Sequence, residues 1–423
     1  MTISLSDEVE SSWFSRFLPK KDPEGETRKQ KNQMSISEQP ILFVTEDDNP
    51  TFDLDRWAKH RSSSRYGRLV LGVLFGKTTQ RIAPVVLVVG LFSVVVFGYN
   101  SVFLPATQLI SVRSRFPELQ LPLTPFELTA PVLGLLLVFR TDTAYNRFQE
   151  GSQLAWEITA SMRTYMRRLL AFTSTKSFDD AEKDAARDLI DASSELHGLL
   201  MTSYLSGKAA AQATTDEERF AAYGTTYATM QEAQSSVVRK ALGIEGGDNE
   251  AGGPGTTTPY YCLNALTLGV SQRLTPLTDQ EQIALDDCLS SVSTSLAKCE
   301  QIKATPIPLG YTRSSVRFLW VWITLLPFAL SRTFADFSIG TWWEDKPLAE
   351  LPVLLVAMVF ISFIFLSIED IAVQIEEPFA ILPLEVQHRW LLRDAEEARS
   401  LQRWYREQKE KQARPVPDEE HDA

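Results

Sequence analysis

Side chains able to carry a reaction are thinly spread in this sequence. His60, His197, His388 and His421 stand apart from one another and from every cysteine, so each reads as a structural or surface residue. Cys262, Cys288 and Cys299 form no CxxC pair and have no histidine nearby; they read as buried or free thiols, not as a disulfide framework or a zinc site. No glycine-rich phosphate loop, HExxH or GxSxG sequence is present. The densest acidic group is Glu369, Asp370, Glu376 and Glu377 in IEDIAVQIEEPF. Without a partner base or metal ligand, it reads as helix caps or ion-pair partners of nearby arginines. These patterns predict no enzyme, no cofactor and no metal centre.

A different chemistry, the passage of ions, needs an apolar constriction with polar groups at its mouths. The stretch PFELTAPVLGLLLVFRTDTAYNRFQEG (125–151) offers both. Pro131, Leu135 and Phe139 recur every four positions and stack along one helical face. Leu128 to Phe139 carries no charge, and Arg140, Asp142 and Arg147 then follow with no turn signal between. One copy of such a stripe cannot enclose a pore. Several identical chains around an axis would turn it into a tube of hydrophobic rings that opens into a water-filled vestibule. Packing against the chain's own spans is the competing reading.

The elements that would position this stripe are written in the hydropathy. The chain has 423 residues and a slightly negative mean hydropathy, but its apolar residues are concentrated in blocks. No charge falls between Arg81 and Arg113, and residues 82–99 and 351–368 are each long enough to cross a bilayer as a helix. Two shorter blocks are 119–139, interrupted by Glu127 and three prolines, and 318–331, broken by Pro327. In a chain that already has two full spans, such segments are expected to line a pathway or a midplane site. Four spans place both termini on one side. Basic clusters before the first span, after the second and before the third put the large middle region on the cytoplasmic or stromal side. Arg113 and Arg115 sit on the opposite loop.

The resulting organisation is a flexible segment over 1–55, two membrane helices and the stripe over 56–140, and a soluble helical region over 141–312 with a disordered loop at 243–258. Membrane helices three and four follow over 313–370, then a helical segment over 371–412 and an acidic tail over 413–423. In the helical segment, Leu391, Ala395, Ala398, Leu401 and Trp404 form a packing stripe. The short VESSWFSRFLPKK stretch near the N-terminus could form an amphipathic helix. A net charge of −12 with no basic domain argues against nucleic acid as a partner.

Four ordered motifs carry a family resemblance: HRSSSRY before the first span, the 125–151 stretch, IPLGYTR before the third span and IEEPF after the fourth. Over roughly 55–400 the chain resembles the bestrophins, and more narrowly the bestrophin-like chloride channels of thylakoids. The resemblance implies an all-α membrane protein with four transmembrane helices per chain, a helical vestibule and a homopentameric pore conducting chloride or other monovalent anions through the lipid bilayer. It matches Pro131, Leu135 and Phe139 to the pore neck and Ile283 to a second, inner aperture. Arg113 and Arg115 become pore-mouth charges that, with helix N-termini and dehydration cost, favour anions. A bicarbonate channel of the same fold, a secondary anion carrier and a membrane-anchored scaffold are the alternatives. A plastid thylakoid membrane is the expected location, with a cell membrane as the other. Asp142, Gln149, Gly151 and Ser152 depart from the family pattern. So does AILPLEV, which stands where the animal members have an acidic calcium clasp, and no calcium site is expected there.

Overall fold

The computed structural model describes residues 54–63, 66–67, 76–104, 117–176, 178–206, 231–244, 258–338 and 350–413. Arg113, Arg115, the VESSWFSRFLPKK stretch, most of the 243–258 loop and the acidic tail lie outside them. Among the described residues every regular element is helical. Helix α1 (Leu54–Arg61) is a unit by itself, with the Arg61 guanidinium 5.7 Å from the Trp57 ring centroid.

The second unit begins with α2 (Lys77–Gly98), which widens into a π-helical turn over Tyr99–Phe103. Asn100 in that turn clamps the backbone of Leu119 at two points, 3.0 and 3.1 Å, and so fixes the approach to α3 (Thr124–Thr175). There follow α4 (Asp180–Gly198), α5 (residues 231–242), α6 (Tyr260–Arg273), α7 (Asp279–Ala304), α8 (Leu309–Ser338), α9 (Glu350–Glu376), the single turn α10 (Pro378–Ile381) and α11 (Leu384–Ala413). Reciprocal capping boxes start two of the soluble helices, Asp179 with Glu182 for α4 and Thr278 with Glu281 for α7.

Helix α3 is the spine. Its 52 residues span roughly 78 Å at 1.5 Å per residue, and two hydrophobic cores hang on it. Near its N-terminus, Phe126, Leu133 and Leu137 pack with α2, α8 and α9, where Trp322 donates its indole N–H to Thr129 at 3.1 Å. Further along, Leu154, Ile158, Met162, Tyr165 and Leu169 pack with α4, α6, α7 and α11. Gly151 marks the seam between the cores: a Cβ there would stand 2.8 Å from the Pro378 ring.

Among the described residues, three helices are long and apolar enough to cross a membrane, over Thr78–Ser101, Leu309–Phe334 and Glu350–Glu376. The start of α3 does not reach that standard, because Glu127 and Arg140 bracket its uncharged run. The expectation of broken spans is corrected. Helix α8 runs for 30 residues straight through Pro327, and α2 and α3 run through Pro84 and Pro131. A packed bundle holds such helices together despite the lost N–H.

The packing stripe of α11 needs a second correction. Leu391 and Ala395 are buried and Ala398 is partly covered, but Leu401 and Trp404 are exposed. Gln402 donates to Ser174 at 2.9 Å, so this level is already the end of α3, and α3 offers nothing further to pack against. The cysteines are buried and free, as read, and burial pushes the Cys262 and Cys299 thiols up to about 12.

Candidate functional site

Pro131, Leu135 and Phe139 all lie on an uncovered face of α3, with Leu135 and Phe139 54% and 55% exposed. The face does not end there. Asp142, Asn146, Gln149, Gln153 and Ala160 continue it at helical spacing, all exposed. The opposite face, from Leu133 through Arg140 and Leu154 to Tyr165, is buried. A single strip about eight turns long is therefore left open by the chain's own packing, apolar to Phe139 and mostly polar beyond it.

Two arginines set the strip's orientation. Arg140, 2% exposed, reaches α9 and ion-pairs with Glu369 through both carboxylate oxygens. Asp370 beside it faces Arg81 at 3.7 Å, so two of the four acids after the fourth apolar block pair with nearby arginines. By sequence alone Arg147 is only a positive charge after the apolar run. Its guanidinium donates to the carbonyls of Glu376 at 2.8 Å, Thr305 at 2.6 Å and Ile302, closing the C-terminal ends of α9 and α7 together. Both the free carbonyls and the helix dipoles favour a cation there. Carbonyl acceptors leave no sequence signature, so this role had none to be read from.

Ile283 is 59% exposed near the start of α7 and is not a core residue. Asp287, Ser290, Thr294 and Lys298 continue its face, which makes Ile283 the large aliphatic group on a polar strip. Helix α7 runs antiparallel to α3: Ser161 bonds Ser291 at 3.0 Å, and Arg168 donates to the Ala284 carbonyl at 2.5 Å. Ile283 therefore sits level with Arg168, about 40 Å along α3 from Phe139.

The histidines correct the sequence reading. His197 and His388 are not isolated: their rings stack at 5.4 Å between centroids, with Nδ1 atoms 3.2 Å apart. The Thr159 hydroxyl donates to the Ala155 carbonyl at 3.0 Å, so it accepts from His197 Nε2 at 3.0 Å. His197 Nδ1 is then bare and must accept from His388 Nδ1–H. A further proton would set two N–H groups head to head. Burial first, then His388 and Arg163, pull the His197 value down to about 3, and burial lowers His388 as well. Because the folded value lies below the unfolded one, the unfolded chain binds more protons between about pH 3 and pH 6.5. Stability is fully present above that window and falls as pH drops through it. From pH 7 to pH 5 the loss from His197 should be about 2 kcal/mol, measured by thermal melts, and His197→Gln should flatten it.

The turn after α9 is apolar and packed, as AILPLEV suggests: Phe379, Leu382 and Leu384 are buried. Among the described residues, no group of three or more His, Cys, Asp or Glu side chains converges to hold a metal ion.

Comparison with known proteins places this arrangement. Residues 56–398 match the family described as Bacterial/Fungal Bestrophin protein. The chain belongs to the bestrophin family. Among the relatives of this bestrophin, voltage-dependent chloride channel 1, chloroplastic, of Arabidopsis thaliana is 27% identical, covering 78% of this chain and 68% of the relative. A voltage-dependent anion channel-forming protein of Nostoc sp. is 28% identical over 64% of this chain and 75% of its own length. The fold matches a crystal structure of a bacterial bestrophin homologue from Klebsiella pneumoniae, with a TM-score of 0.50 at 21% identity, covering 74% of this chain and 97% of that one. This bestrophin is a membrane protein, and its helical architecture is that of its family.

Proposed function

We propose that this bestrophin is an anion channel in which five copies surround an axis, each turning the open strip of α3 inward. The observation that carries the proposal is that strip, which is apolar for three turns and then polar, and which one chain leaves uncovered along most of a 52-residue helix. The start of α3 then serves as the second of four membrane helices. Pro131, Leu135 and Phe139 form the neck, and Ile283 forms an inner aperture deeper in the vestibule. An apolar neck offers chloride no ligand, so selectivity comes from helix N-termini, from Arg113 and Arg115 at the mouth, and from the cost of shedding water. The relatives, named as chloride and anion channels, support passive anion conduction, not catalysis, and the chloroplastic ones support a plastid membrane, with the thylakoid as our choice. Helices that run unbroken through their prolines weigh against a carrier built on discontinuous spans.

The decisive experiment is a planar-bilayer recording of purified protein in asymmetric chloride. The reversal potential should follow the chloride gradient, and an absence of current at full incorporation would sink the channel reading. The aperture has its own test. Ile283→Ala should change the permeability of large anions relative to small ones by several-fold while assembly survives, since an exposed side chain leaves no cavity. Unchanged ratios in a folded variant would remove Ile283 from the pathway.

A further inference from the structure

Where α3, α4 and α11 meet, the soluble bundle holds a cavity of about 450 Å³. Its floor is apolar and buried, made by Leu170, Ala186 and Ile190. Its walls carry Lys183 and Arg187 from α4, and Arg399, Arg403 and Arg406 from α11, against the carboxylates of Asp191 and Glu396. Such a concentration of positive charge is unexpected in a chain of net charge −12. Lys183 and Arg187 are paired within their own helix, to Asp180 at 2.8 Å and Asp184 at 2.6 Å, and Arg399 pairs with Asp191. Arg403 and Arg406 make no ion pair among the described residues.

The spacing is informative. Positions 399, 403 and 406 share one face of α11, so three guanidinium groups repel one another along it. Lys183 and Arg187 line up in the same way on α4. A bound anion turns this repulsion into attraction, and guanidinium forks suit the oxygens of phosphate. The cavity is far larger than inorganic phosphate needs and falls within the range of small-molecule sites, while its apolar floor suits a carbon skeleton. We infer that the cavity between α4 and α11 binds a soluble organic phosphate. A lipid headgroup shares the chemistry but not the location. Leu170 lies about 45 Å along α3 from Arg140, where the helix leaves the membrane-side core, so the host bilayer does not reach it.

The inference stands apart from the channel reading and is tested by binding alone. Adenosine triphosphate, inorganic phosphate and a soluble short-chain phosphatidylglycerol are titrated calorimetrically into the purified full-length protein at fixed ionic strength. Adenosine triphosphate should bind at least tenfold more tightly than inorganic phosphate. Arg403→Gln with Arg406→Gln should weaken it at least tenfold, and so should Lys183→Gln with Arg187→Gln on the facing wall. Arg239→Gln, on α5, should change it less than twofold. Two pairs from different helices keep the test alive if one variant fails to fold. No binding by the parent protein, or binding that both pairs leave intact, overturns the inference. Preference for the phosphatidylglycerol would assign the cavity to lipid, and binding seen only after removal of residues 414–423 would assign it to the chain's own acidic end; either result also overturns it.

Discussion

Replacing Glu369 with glutamine should remove a large part of the stability of the fold. Glu369 neutralises Arg140, which is almost wholly buried between α3 and α9. Without that carboxylate a guanidinium is stranded where water cannot solvate it. Breaking a buried pair from one side costs about 3–5 kcal/mol. A typical domain has only about 5–15 kcal/mol in hand. The looser pair beside it, Arg81 with Asp370 at 3.7 Å, gives a contrast, because water reaches the Arg81 side chain: Asp370→Asn should cost less than about 1 kcal/mol. The double variant Arg140→Met with Glu369→Leu removes both charges and restores apolar packing, so it should recover most of the loss. Detergent-solubilised yield and melting temperature report all three. A Glu369→Gln protein as stable as the parent would show that the pair does not anchor α3 to α9.

How much of this was legible depends on the distance over which each signal acts. The helix that is apolar and then polar could be read from 125–151 because period and charge are local properties. Its unbroken run follows from the absence of any turn residue between Phe139 and Asn146. The ion pairing of Glu369 and Asp370 could be anticipated as a class, since carboxylates beside basic juxtamembrane segments find partners there. That Glu369 in particular meets Arg140 could not, because the two lie 229 positions apart. The His197–His388 pair spans 191 positions, and each histidine alone looks ordinary. Arg147 has only carbonyl partners, which every residue possesses. The prolines misled for a related reason. A lone sequence shows the N–H each one deletes but not the bundle that keeps the helix continuous. The exposed end of the α11 stripe misled because periodicity reports which residues share a face, not how far the neighbouring helix extends.

Leu135→Ala should raise the anion current several-fold while leaving the protein as stable as the parent. In our reading Leu135 is the middle ring of the neck, and an apolar ring resists ions by excluding the water they carry. Shortening it in every copy widens and wets the constriction. The surrounding structure should tolerate the change, because Leu135 is more than half exposed within its own chain and its loss opens no cavity. Leu137 two positions on is the built-in comparison, at 2% exposure inside the α2, α8 and α9 core. Leu137→Ala should cost about 2–5 kcal/mol and reduce the recovered protein without increasing current per channel. The same truncation thus separates pore from packing by the direction its residue faces. If Leu135→Ala instead destabilises like Leu137→Ala and passes no more current, α3 turns its open strip toward another helix and the pathway lies elsewhere.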